Sequence, residues 1–171
     1  MKVRVGAQQR DSASGVAFHE SEAWAQTDFG GRMVAFASPM QAEGVCVYDG
    51  EGFTVTGEAR TTLRSVCGRC GKSFEEPFSF SFEERFERAA NEDEGIYAYQ
   101  GDVLDLTAMI QDNVFLHLPI RSVCSEDCKG LCPVCGCDRN ITQCGCVTEE
   151  SDERPNPLSA LAALLNEDKE V

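Results

Sequence analysis

The chain has 171 residues, 42% of them hydrophobic, enough for one packed core and pointing to one domain with at most a small appended module. A formal charge of −14 argues against broad, counterion-driven attachment to nucleic acid, because an acidic surface repels phosphate backbones and steers cationic proteins towards itself. Ten cysteines complete the compositional signal.

Residues 1–38 mix Gly, Ser, Ala and charge without a sustained period, and are expected to contribute one or two short strands and a loop. Val45, Cys46, Val47 and Tyr48 form a β-prone run, and the Asp49-Gly50 that follows is a hairpin signal. The run from Phe53 to Val66 pairs back on it, with Gly57 expected as a bulge. After the turn Cys67-Gly-Arg-Cys-Gly, residues 73–88 repeat Phe78, Phe80 and Phe82 at every second position, the pattern of a half-buried strand. These rings could stack bases of single-stranded RNA, but Glu75, Glu76, Glu83 and Glu84 flank them, so the core face of a sheet is the preferred reading. Asn91 to Gly95 read as a solvated loop without calcium-loop spacing.

Asp102 or Asp105 offers an N-cap for a helix running to about Leu118 and stopped by Pro119, with Leu106, Met109, Ile110, Asn113 or Val114, and His117 on one face. Seven cysteines follow in residues 124–146. An acidic linker, residues 148–154, then leads through Pro155-Asn156-Pro157 into a short Leu-rich helix, residues 158–165. The expected fold is α+β: an antiparallel β-sheet, meander- or barrel-like, with one main helix, a cysteine-rich zinc module and a short C-terminal helix. Its parts are a poorly placed N-terminal segment (1–38), a sheet-plus-helix core with the first cysteine knuckle (39–123), the cysteine-rich module (124–147), and the linker with the last helix (148–171).

Eight cysteines form four close pairs, Cys67/Cys70, Cys124/Cys128, Cys132/Cys135 and Cys144/Cys146. Disulfides need an oxidising compartment, and the start Met-Lys-Val-Arg-Val followed by polar residues has no export-signal pattern. The apolar run 160–165 is too short to span a bilayer. The expectation is therefore a cytoplasmic protein holding two structural zinc ions, each in four thiolates. With eight thiolates and two zinc ions counted, the charge becomes about −18.

Loop entropy favours a nested pairing: Cys132/Cys135 with Cys144/Cys146 closes the shortest loop, leaving Cys67/Cys70 with Cys124/Cys128. The alternative joins the two similar knuckles Cys67/Cys70 and Cys132/Cys135, each followed by Gly, as in zinc ribbons. Cys46 reads as a buried thiol, and Cys137 as a spare that can compete with Cys135. Four-thiolate sites have no open position for substrate, and only two histidines, His19 and His117, are present, so no catalytic residues are expected.

The order Gly57, Cys67-Gly-Arg-Cys70, Asp105-Leu106, Leu118-Pro119, Cys124, Cys128-Lys-Gly-Leu-Cys132-Pro-Val-Cys135-Gly, Asn140, Cys144-Gly-Cys146 and Asn156-Pro-Leu resembles the YceD family over about residues 39–165. The resemblance implies a cytoplasmic, non-enzymatic factor in 23S ribosomal RNA accumulation or processing and large-subunit assembly. Some relatives lack the 132–146 module, which suits the nested pairing. Cys137 and Arg139 depart from the family pattern. The implied partner is a basic ribosomal or assembly protein, with no membrane and no small-molecule substrate. Local ribosomal RNA contact would fall to Arg69, Lys72, Arg121, Lys129 and Arg139, or to Arg60 and Arg64, although such cations equally serve to offset thiolate charge. A thiol redox or metal-handling protein using its Cys-x2-Cys turns is the alternative function; it expects the motif at a helix N-terminus, and here the motif lies between two strands.

Overall fold

The structure, a computed structural model, describes residues 1–6, 15–89 and 95–146. Two compact units are present, Met1–Lys129 and Gly130–Val171. In chain order the first contains β1 (Lys2–Arg4), β2 (Val16–Glu22), β3 (Thr27–Phe29), β4 (Arg32–Phe36), β5 (Met40–Tyr48), β6 (Phe53–Val66), β7 (Ser73–Glu87), β8 (Ile96–Ala98), β9 (Val103–Asp105) and the helix α1 (Thr107–His117).

The alternation legible from Phe53 onward becomes a long hairpin. β6 and β7 pair antiparallel without a break from Phe53↔Phe86 to Val66↔Ser73. Because β7 occupies one edge of β6 throughout, β5 and β4 share the other edge in tandem, at Gln41↔Arg60 to Tyr48↔Phe53 and at Ala35↔Arg64 and Phe36↔Leu63. Between the two, five steps along the outer strand (36 to 41) meet three along β6 (63 to 60), so the irregularity lies at Ser38-Pro39. There the Ser38 hydroxyl accepts the Thr62 N–H (2.9 Å) and the Ser38 carbonyl accepts the Thr61 hydroxyl (2.9 Å), in place of regular ladder bonds. Proline, which has no N–H to donate, fits such a break.

Gly57, expected as a bulge, is not one: it keeps regular register with Gly44 on one side and Phe82 on the other. Its lack of a side chain serves a close approach of strands. A Cβ on Gly57 would collide with the Glu43 carbonyl oxygen and stand 2.9 Å from the Phe82 ring.

The sheet of seven strands is open rather than barrel-like: β2 pairs only with β5, β3 only with β4, and at the far edge β8 pairs with β7 in parallel. Closure into a barrel would need the two edges to meet, and among the described residues they do not. The remaining pairs of the sheet are antiparallel. Among the described residues, the N-terminal region holds four strands rather than one or two. β1 forms a separate two-stranded sheet with β9, from Lys2↔Asp105 to Arg4↔Val103, a partner too distant in sequence to be read locally. β3 and β4 are joined by Gly30-Gly31, both with positive φ (63° and 88°), the geometry of a two-residue hairpin loop.

Phe78, Phe80 and Phe82 are 8%, 5% and 4% exposed and belong to the main core, which removes them as a base-stacking platform. Helix α1 packs on β7 through Met109, Ile110, Asn113 and Val114. Its start lies two residues after Asp105, whose carboxylate accepts the Thr107 N–H at 3.1 Å. His117 stacks its ring on Phe80 (5.2 Å between centroids) while staying exposed to solvent. Burying three phenylalanines contributes roughly 1.5–3 kcal/mol each. The expected linker at 148–154 and helix at 158–165 lie outside the described residues, as does most of the 91–95 loop.

The second unit, as far as it is described, is held by turns, with an isolated bridge Leu131↔Asp138 and Ile141 and Thr142 N–H groups on the Asp138 carbonyl (3.1 and 2.9 Å).

Gly57→Val should lower stability by ~1–3 kcal/mol through overpacking, since neither the Glu43 backbone nor the buried Phe82 ring can give way. The check is a urea titration: a lower midpoint with an unchanged slope is expected, and an unchanged midpoint would contradict the close-approach account.

Candidate metal centre

Two arms of the first unit converge on four thiols. The first arm is the turn between β6 and β7. The Cys67 N–H donates to the Lys72 carbonyl (2.8 Å), the Gly71 N–H donates to the Cys67 carbonyl (2.9 Å), and Gly71 has φ 72°, which a side-chain-bearing residue adopts only at a cost. This folding aims Cys67 and Cys70 to one side. The second arm leaves α1 at Pro119 and is tied down at Ser122, whose carbonyl accepts the Gly68 N–H (2.9 Å) and whose buried hydroxyl donates to Glu76 (2.6 Å).

Cys124 and Cys128 then face the knuckle. All four sulfurs lie within 4.8 Å of one another, and Cys67–Cys128 and Cys70–Cys124 are both separated by 3.8 Å. A disulfide would bring two sulfurs to about 2.05 Å. Four thiolates set tetrahedrally about a metal at ~2.3 Å stand about 3.8 Å apart, so the donor set fits a four-sulfur metal site. Cys67, Cys70 and Cys128 are buried, with Phe74 and Val123 packed against them.

The electrostatics favour a cation. The Cys67 thiol is lowered to about 6, first by the backbone N–H of Cys124, with the Cys70 and Arg69 N–H groups adding to it. Cys124 is raised to about 12, first by burial and then by the neighbouring thiols. One thiolate is thus welcomed by backbone dipoles, while four together repel in a low-dielectric corner unless a metal neutralises them.

The second unit repeats the local geometry. The Cys132 N–H donates to the Cys137 carbonyl (2.8 Å), the Gly136 N–H donates to the Cys132 carbonyl (2.8 Å), and Gly136 has φ 72°. Cys132, Cys135, Cys144 and Cys146 form the second group of sulfurs within 4.8 Å. Cys132 is lowered to about 6 by the Cys135 and Val134 N–H groups, and Cys146 is raised to about 12, first by the Cys135 thiol. The two groups are those of the loop-entropy pairing, and the ribbon-like union of Cys67/Cys70 with Cys132/Cys135 does not form.

Cys137 takes the position that Lys72 has in the first knuckle, where the backbone carbonyl is used, and its thiol lies outside the group of four. Cys46 is 1% exposed, and burial pushes its thiol up to about 12.

Several cations proposed for partner contact are occupied. Arg69 donates across the site to the Glu126 and Cys128 carbonyls (2.8 and 3.1 Å), and Arg121 donates back to the Gly68 carbonyl (3.2 Å), so each arm straps the other. Arg60 bonds Gln41 (3.1 Å), Arg64 lies 3.5 Å from Glu75, and Lys129 also has a partner. The Lys72 and Arg139 side chains are exposed and have no partner among the described residues. Ser122 and Gly68 escaped the sequence reading, because a carbonyl-to-amide bond between arms has no residue-type signature.

The profile of the family described as "Large ribosomal RNA subunit accumulation protein YceD" matches residues 55–165, a span that takes in most of β6, all of β7 and α1, and both cysteine groups. The chain belongs to the YceD family. Among similar YceD relatives, an Arabidopsis thaliana protein named Large ribosomal RNA subunit accumulation protein YCED homolog 1, chloroplastic, is 38% identical over 58 residues, 34% of this chain and 18% of the relative. Uncharacterised proteins of Mycobacterium bovis and Mycobacterium tuberculosis are each 35% identical over 95 residues, 56% of this chain and 45% of theirs. The matched segments span less than half the length of these relatives. No solved structure matches this YceD chain.

Replacing Cys132 and Cys135 together by Ser should remove one bound metal and leave the main thermal transition of the YceD core in place, whereas replacing Cys67 and Cys70 should abolish that transition. Metal content by native mass spectrometry and calorimetric melting read the two effects. Equal damage from both pairs would contradict a divided set of sites.

Proposed function

We propose that the chain is a non-enzymatic, zinc-binding factor that supports 23S ribosomal RNA accumulation and large-subunit assembly in the cytoplasm, acting through a basic ribosomal or assembly protein. The observation that carries this reading is the pair of four-thiol groups inside the span matched by the YceD family. Zinc is the metal of choice for a tetrahedral, all-thiolate structural site, and four protein ligands leave no position for water or substrate. The acidic surface, at −14 before any thiolate is counted, attracts cationic partners and discourages free RNA. No described helix is long and apolar enough to cross a membrane.

The thiol-exchange alternative has less support. The Cys67/Cys70 turn joins two strands, without the helix N-terminus that lowers the attacking thiol in disulfide oxidoreductases.

Protein purified without chelator should carry two zinc ions by native mass spectrometry; iron, or one zinc with a disulfide, would overturn the assignment. Thiolate ligands set the pH dependence. Cys67, at about 6 against an ordinary 9.0, favours the fold above the ordinary value, and that contribution is lost as pH falls through about 6. Because protons compete with the metal for the thiolates, zinc should be retained at neutral pH and released to a chromophoric chelator progressively as the pH is lowered.

Affinity purification of the tagged chain from its source cell, with and without ribonuclease, tests the partner. Retention of basic large-subunit or assembly proteins after ribonuclease treatment is expected, and their complete loss would move the contact to RNA.

A further inference from the structure

The sheet splits between β4 and β6. The two strands pair only at Ala35↔Arg64 and Phe36↔Leu63. Beyond that point β4 pairs with β3 from Thr27↔Val34 to Phe29↔Arg32, and β6 runs on to Val66 with β7 as its partner. A wedge of about 370 Å³ opens between them. Its third wall is the segment 118–122, held in place by the bond from the Gly68 N–H to the Ser122 carbonyl (2.9 Å) and by Arg32, which donates to the Pro119 carbonyl (2.6 Å).

Two kinds of side chain line this wedge. Met33, Val66 and Ile120 are 56%, 63% and 101% exposed, an apolar lining that no described residue covers. Arg32, Arg64 and Arg121 stand among them. Arg64 lies 3.5 Å from Glu75, but Arg32 and Arg121 reach only backbone carbonyls and have no carboxylate among the described residues. In a chain carrying −14, guanidinium groups gathered in one cleft with so little acidic compensation are a local reversal of sign. A guanidinium presents five donors in a planar fork suited to a carboxylate, and Arg32 and Arg121 each spend one on a carbonyl.

We propose that the wedge docks an extended segment of a partner protein in which acidic residues alternate with aliphatic ones. Diverging strands leave main-chain groups of β4 and β6 for an added strand to pair with, the aliphatic side chains cover Met33, Val66 and Ile120, and the carboxylates meet the arginines. An RNA strand fits less well, because binding of single strands relies on aromatic rings for base stacking and no aromatic residue lines the wedge. The inference does not rest on the zinc assignment, and its ligand has the opposite charge to the basic partner proposed above.

The test is a random octapeptide display library panned on the intact, zinc-supplemented chain, followed by fluorescence anisotropy with the most enriched peptide. Enrichment of Asp or Glu interleaved with Val, Ile, Leu or Met is expected, with binding weakened by salt and reduced about tenfold or more by Arg32→Glu and by Ile120→Asp. Ile120 is fully exposed, so Ile120→Asp should melt as the parent does, which separates loss of docking from loss of fold. Failure to enrich, enrichment of basic peptides, or binding that both variants retain would overturn the proposal. So would a twelve-residue oligouridylate that binds more tightly than the peptide and is lost in Arg32→Glu. None of these results bears on the metal content or on capture of a basic protein.

Discussion

Four thiols held within 4.8 Å of one another, three of them buried, cannot all ionise unless a cation shares the site. The cysteines come from positions 54 and 61 residues apart, so bringing them together closes a long loop and constrains everything strung between them. That loop contains all of β7, the short strands β8 and β9, and α1. The site therefore acts as a clasp on the first unit. Its strength depends on charge compensation more than on apolar area, since among the described residues only Phe74 and Val123 pack as apolar neighbours beside the sulfurs.

The clasp is built from groups that already have structural work. The Cys67 turn is at once the reversal between β6 and β7 and the holder of two sulfurs, so the register of the hairpin and the aim of the thiols are one geometrical fact. Arg69 and Arg121 lie across the gap in opposite directions, each giving donors to carbonyls of the other arm. Beside them, the backbone N–H groups of Cys124, Cys70 and Arg69 lower the Cys67 thiol. Two residues that looked available for partner recognition, Arg69 and Arg121, thus also brace the two cysteine arms. The second thiol group repeats the turn geometry of the first in the other compact unit.

Much of the architecture was legible from local pattern. The Asp49-Gly50 turn forms with Asp49 accepting the Glu51 and Gly52 N–H groups at 3.0 Å, and the Phe78, Phe80, Phe82 alternation buries as a sheet face should. Helix α1 ends where Pro119 demands. The misreadings share a cause. Gly57 was expected to bulge because glycine in a strand permits it, yet the actual offset lies at Ser38-Pro39 on the neighbouring strand, and only the pairing of three strands reveals which position must bend and which must be bare. β1 was missed because its partner β9 lies about a hundred residues away, at Lys2↔Asp105.

The sequence by itself determined the chemistry: eight cysteines in pairs at turn spacing, glycine where a positive φ follows the second thiol of each knuckle, an acidic exterior and an alternating sheet core. These are short-range properties, set by residue type and spacing within a few positions. Tertiary structure decided how the four pairs divide into two groups, that the sheet stays open, that Arg69 and Arg121 serve the cysteine arms, and that Arg32 meets Arg64 and Arg121 in one cleft. Each of these depends on which distant segments touch. That choice is made by the whole chain burying its apolar surface and neutralising its thiols at once, so no local pattern carries it.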